Sequence, residues 1–181
     1  MTRILLIGGD TVHQSILRHL FKQQPKGYGI TIIVPSKEEL VLENLPENNS
    51  ISIVEDTIIS FDPLQKMLLG FSGEIYRFDV ISFDMNMKFS LFKQALVPIA
   101  ENGTMLVKNT LQNTEFPFLF GAGDCVSVMD QTPENIRSRE KQANVLWHNI
   151  TRYVKGQKLL SVTNGSPRSF RSWMDRLFKR V

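Results

Sequence analysis

Apolar residues fall along this chain in short runs separated by turn-forming residues. Arg3 to Ile7 is one such run, stopped by Gly8-Gly9-Asp10, and Val12, Ile16, Leu17, Leu20 and Phe21 then recur at helical spacing. This predicts a strand, a tight turn and an amphipathic helix. After the loop Pro25-Lys26-Gly27-Tyr28-Gly29, the β-branched run Ile30-Thr31-Ile32-Ile33-Val34 is closed by Pro35, as a second buried strand would be. Two strands joined through one helix make a βαβ unit, whose strands pair in parallel.

Residues 36–50 are polar and read as helical or irregular, whereas Ile51 to Ile59 alternates well enough for one strand. Phe61-Asp62-Pro63 turns the chain. Residues 66–78, with Gly70 to Gly73 at their centre, predict a hairpin, and Asp79 to Phe83 follow as another strand. Further apolar stretches are Ala95 to Ile99, Thr104 to Val107 behind Gly103, and Phe118 to Phe120, which ends at Gly121-Ala122-Gly123-Asp124. Ile136, Ala143, Leu146, Trp147, Ile150, Tyr153 and Val154 mark a long helix over Glu134 to Val154, stopped by Gly156. No internal repeat is present. The pattern is that of an α/β, Rossmann-like domain with a parallel sheet and a small β-hairpin element, here given the bounds 1–160, followed by a C-terminal segment, 161–181.

Composition narrows the class. The 181 residues are 42% hydrophobic and 22% charged, ordinary values for one globular domain. No apolar run approaches the roughly 20 residues that cross a bilayer. The apolar start, Ile4 to Ile7, ends at the glycines with no small-residue cleavage site, so a cytoplasmic location is expected. A single cysteine, Cys125, excludes a dithiol pair within one chain, and His13, His19 and His148 lack metal-ligand spacing. All three histidines are expected at surface or boundary positions. The net charge is +3, but Arg168, Arg171, Arg176, Lys179 and Arg180 stand against Asp175 alone near the C-terminus, which leaves the remainder about neutral. Such confinement argues against a nucleic-acid binder, whose basic surface is broader.

A glycine turn between a strand and a helix lets a pyrophosphate approach the backbone and the helix N-terminus. In the G-x-G-x-x-G register this chain reads Gly8, Gly9, Asp10, Thr11, Val12, His13, so only the first of three glycines is kept. Asp10 places a carboxylate where phosphate would lie. At the end of the second strand, where nucleotide folds often hold ribose hydroxyls through an acid, stands Ser36. It either hydrogen-bonds a ribose or caps the segment Lys37-Glu38-Glu39.

Asp79 before Val80-Ile81-Ser82-Phe83-Asp84, then Phe116 to Cys125 with its Gly121-Ala122-Gly123-Asp124, then a long helix, resembles the flavin domain of the FAD-dependent pyridine nucleotide-disulfide oxidoreductases. Three segments, Met1 to Leu45, Phe78 to Asp84 and Asn102 to Val181, resemble more particularly the type II NADH dehydrogenase-like branch, in the form associated with selenophosphate synthetases. The resemblance implies an FAD-binding Rossmann domain. In it Gly123 and Asp124 contact the FAD ribitol with Gly121 in support, while Gly8, Gly9 and Ser36 stand at the remaining cofactor wall. Three departures accompany it. Family members insert a whole NADH-binding domain where residues 84–103 join the strands here. The family's small glycine-containing turn reads Asp84-Met85-Asn86-Met87, and Asp10 is the third departure. NADH oxidation by this chain alone is therefore not expected.

At the C-terminus, Phe170, Trp173, Met174, Leu177, Phe178 and Val181 share one face of a helix, with Arg171, Asp175, Arg176, Lys179 and Arg180 around the rest. A basic amphipathic helix of this kind lies on an anionic membrane surface, or docks on a partner or on its own core. Two functions of different class stay open. One is a flavin electron-transfer protein that takes reductant from a partner. The other is a cofactor-free pseudoenzyme that serves as an interaction or scaffold module at a membrane or membrane complex.

Overall fold

The computed structural model describes residues 1–23, 26–41, 50–85, 90–131 and 138–162. β1 (Thr2–Ile7), α1 (Thr11–Gln23) and β2 (Tyr28–Val34) form the expected βαβ unit, and β3 (Ile51–Glu55) extends it. A three-stranded antiparallel sheet follows: β4 (Ile58–Asp62), β5 (Met67–Gly70) and β6 (Ile75–Arg77). The chain then re-enters the first sheet with β7 (Val80–Phe83). After α2 (Ser90–Gln94) come β8 (Met105–Val107), β9 (Leu119–Gly121), β10 (Val126–Val128) and α3 (Arg139–Val154).

Among the described residues, five strands form a parallel sheet in the order β3-β2-β1-β7-β9. The α/β, Rossmann-type fold read from the sequence is thus present. Ile4 to Ile7 are buried without alternation because β1 is the central strand, covered on both faces. α1 turns Val12, Ile16, Leu17 and Leu20 inward and packs against α3, whose Trp147 is fully enclosed and meets Tyr28 edge-on at 6.3 Å. Along β7 the side chains alternate. Ser82 points under α1, toward His13, and Phe83 points the other way, against Phe61 and Phe92.

The predicted single strand over Ile51 to Ile59 is two strands, broken at Asp56-Thr57. The buried Asp56 carboxylate accepts hydrogen bonds from the N–H groups of Thr57 and Ser72 and from the hydroxyls of Ser72 and Tyr76. These bonds, that of Ser72 foremost, hold its pKa down at about 2. A Cβ on Gly70 would collide with that carboxylate, so the hairpin needs a glycine there. A carboxylate with four donors is stable only where the chain bends to bring them in, and this bend turns the chain from one sheet to the other. In the stretch Ala95 to Ile99, only Ile99 joins a ladder, by one bridge to Met105. The last helix is described from Arg139 onward, and the rest of the predicted span, 134–137, includes no described residue.

Candidate functional site

The turn after β1 is built as a Rossmann turn and packed as something else. Gly8 has φ +89°, a conformation that glycine adopts freely. The space beside it is taken by the protein itself: a Cβ would strike the Asp84 carbonyl and the Met85 side chain. At Gly9 a Cβ would meet Leu40 and Val34. Asp10 caps the first turn of α1, its Oδ1 accepting from the N–H of Thr11 at 2.7 Å.

His13, in the place of the third glycine, is completely buried, which corrects the surface or boundary position expected from the sequence. Its Nδ1–H donates to the Gly8 carbonyl at 2.9 Å, since a carbonyl only accepts, and Nε2 accepts from the Ser82 hydroxyl at 3.0 Å. Burial pushes the imidazole pKa down to about 4. With no route to solvent, this Ser–His pair holds α1 against β7 rather than offering a nucleophile. His148 is also buried, its Nδ1 at 2.7 Å from the Asn144 carbonyl, and burial likewise brings its pKa down to about 4.

Asp84, the first residue after β7, is fully buried below the N-terminus of α1. Its Oδ2 accepts from the His13 N–H at 2.7 Å, and the Val12 N–H also hydrogen-bonds the carboxylate. Its Oδ1 has no hydrogen-bond partner among the described residues. Burial pushes the carboxyl up to about 7, against the pull of the helix N–H groups.

The segment expected to hold a ribitol faces this carboxylate. Gly123, at φ +71°, lies so close that a Cβ would overlap Asp84 Oδ1, and its N–H donates to Gln142 Oε1 at 3.1 Å. Gly121 is required by packing, because a Cβ would enter the side chains of Met105 and Val126. Cys125 is buried, its Sγ within 3.4 Å of the Phe83 carbonyl, and burial drives the thiol up to about 12. Asp124 turns outward to Arg139 at 2.5 Å, and the same guanidinium reaches Asp10 at 3.6 Å. Arg139 therefore spans the mouth between the first turn and the Gly123-Asp124 turn. Beside it opens a cleft of about 460 Å³ lined by Asn102, Thr104, Ser127, Asp124, Arg139 and Gln142. Ser36 stands apart from this cluster as a cap, its Oγ accepting from the Glu38 N–H at 3.3 Å.

Four of the six glycine, serine and aspartate positions named from the sequence, Gly8, Gly9, Gly123 and Asp124, thus border one crevice, whose contents were not legible. Arg139 carries no local motif. Asp84 did carry a signal, a charge at the end of an otherwise apolar strand. Residues Phe170, Arg171, Trp173, Arg176, Leu177, Phe178, Lys179 and Arg180 lie outside the described residues, as do Asn86 and Met87. Among the described residues, no helix is long and apolar enough to cross a membrane.

An FAD pyrophosphate needs free N–H groups at the start of α1 and bare backbone at the glycines. Here the N–H groups of Val12 and His13 are bonded to Asp84, the glycine faces are packed, and a guanidinium joins the two turns. The residues at this end of the crevice do not fit the cofactor. No family model and no curated protein matches the sequence. Solved structures do match. The NADH:rubredoxin oxidoreductase from Clostridium acetobutylicum is 13% identical with a TM-score of 0.58, over 92% of this chain and 78% of that one. The structure of Fdr9 is 11% identical with a TM-score of 0.54, over 92% and 79%. This chain has the fold of Rossmann-type flavoprotein reductases.

Proposed function

We propose that this protein is a cofactor-free relative of the flavin oxidoreductases, working as an interaction module rather than as an electron carrier. One observation carries the reading: the buried Asp84 carboxylate occupies the N–H groups of α1 that a dinucleotide would use. Arg139, tied to Asp10 and Asp124, reinforces it. The purified protein is expected to be colourless. If it showed absorption near 375 and 450 nm at about one flavin per chain, or took up FAD supplied in excess, the reading would be wrong.

The contact surface in this reading is the basic, aromatic C-terminal segment from Phe170 to Arg180, directed to an anionic membrane surface or a membrane complex. In a flotation assay at low salt, the protein is expected to rise with anionic vesicles and to stay behind when Trp173 and Phe178 are both replaced by alanine. Failure of the unaltered protein to float rules out the lipid surface.

A second reading is favoured by the polar cleft beside Gly123 and Asp124. In it the chain binds a flavin and takes electrons from a separate redox partner. FAD would then supply the redox chemistry, and the residues present to meet it are Gly121, Gly123 and Asp124. The same spectrum decides between the two.

A further inference from the structure

The first turn of a helix offers N–H groups that seek an anion. In α1 this demand is met from within. The Asp84 carboxylate comes from the end of β7, 71 positions away from His13, and accepts the His13 N–H at 2.7 Å. It is fully buried, and its second oxygen, Oδ1, has no hydrogen-bond partner among the described residues. A carboxylate half satisfied in a buried site is costly to keep ionised. The arrangement makes sense as a tethered ligand: the helix N-terminus holds an anion, and the anion belongs to the chain. We propose that the N-terminus of α1 is a site for a phosphate-class dianion, held shut in cis by Asp84, with Arg139 as the counter-charge of an entering ligand. This inference rests on the cofactor-free reading and extends it, since it makes the lost cofactor subsite a gated site rather than an erased one.

The charged and titratable groups around Asp84 come from every element packed on it. His13 faces it from α1, Asp10 from the turn after β1, Asp124 and Cys125 from the turn after β9, and Arg139 from α3. Burial keeps His13 neutral near pH 7 by lowering its pKa to about 4, and keeps the Cys125 thiol protonated by raising its pKa to about 12. Asp84, raised to about 7, changes charge in the neutral range. When it is neutral, an incoming dianion no longer meets a fixed negative charge at the helix end.

Inorganic sulfate is a suitable probe because its charge is constant in this range. Its binding is measured calorimetrically at constant ionic strength. At pH 8 the Asp84→Asn variant is expected to bind sulfate at least about tenfold more tightly than the unaltered protein, as removal of an adjacent buried like charge requires. Adding Arg139→Ala in that background abolishes the gain. The unaltered protein binds more tightly at pH 6 than at pH 8. Equal affinity of a folded Asp84→Asn variant and the unaltered protein at pH 8 overturns the proposal, as does a gain that survives Arg139→Ala. Should the asparagine variant not fold, the unaltered protein decides, and an affinity unchanged between pH 8 and pH 6 overturns the proposal. A yellow, flavin-loaded protein would sink the cofactor-free reading whatever the sulfate titrations give.

Discussion

Valine at position 8 is expected to unfold this protein, or to bring it within reach of unfolding at ambient temperature. Gly8 sits at φ +89°, where a β-branched residue is strained by about 1–3 kcal/mol. The second cost is steric. The neighbours of an added Cβ are the Asp84 carbonyl and the Met85 side chain, and that carbonyl is fixed as the end of β7 and as acceptor of the Asp10 N–H at 3.3 Å. Forcing groups into such a wall costs about 1–3 kcal/mol more. A combined loss of about 5 kcal/mol is comparable to the whole stability of many domains. Urea denaturation with a midpoint within experimental error of the unaltered protein would show that β1 and β7 are not held as described. Gly8→Ala separates the two costs, since alanine keeps the collision but relieves the β-branched strain.

Trp147→Ala is the second large effect, expected to cost about 3–5 kcal/mol through loss of contacts and the cavity left behind. The indole is 1% exposed and stacks edge-on to Tyr28, so it joins α3 to the start of β2. α3 also carries Arg139 and Gln142, the residues that meet Asp124 and Gly123. Loosening α3 therefore reaches the crevice. Trp147→Phe keeps an aromatic ring in place and is expected to lose less than half as much. If the alanine variant melts at the same temperature as the phenylalanine variant, the packing of α3 on α1 contributes little.

What the sequence disclosed follows from range. The βαβ unit was legible because Arg3 to Ile7, the helical spacing from Val12 to Phe21, and Ile30 to Val34 are each decided by local pattern. The hairpin around Gly70 to Gly73 and the stop at Gly156 were legible for the same reason. Ser36 carried both readings, and its bond to the Glu38 N–H is that of a cap. The break at Asp56 was hidden because its partners, Ser72 and Tyr76, lie 16 and 20 positions away. Burial of His13 was hidden because it is a polar residue whose partners come from β7 and from the turn before it. Asp10 was read as a charge set against phosphate, and it is found bound to Arg139, which no spacing rule connects to it. Glycines showed where backbone comes close, but not to what: at Gly8, Gly9 and Gly121 the close approach is to this chain itself.

The strand order has a consequence for how the chain emerges during synthesis. β1 lies between β2 and β7, so its first partner arrives early and its second only after the whole antiparallel sheet has been made. A nascent chain with β1, β2 and β3 assembled bares one side of β1, with the apolar run Ile4 to Ile7 facing outward. Open edges of this kind recruit strands from other molecules. The period between synthesis of β3 and of β7 is thus when this protein is most exposed to aggregation, and a pause in translation there would do more harm than one after residue 85.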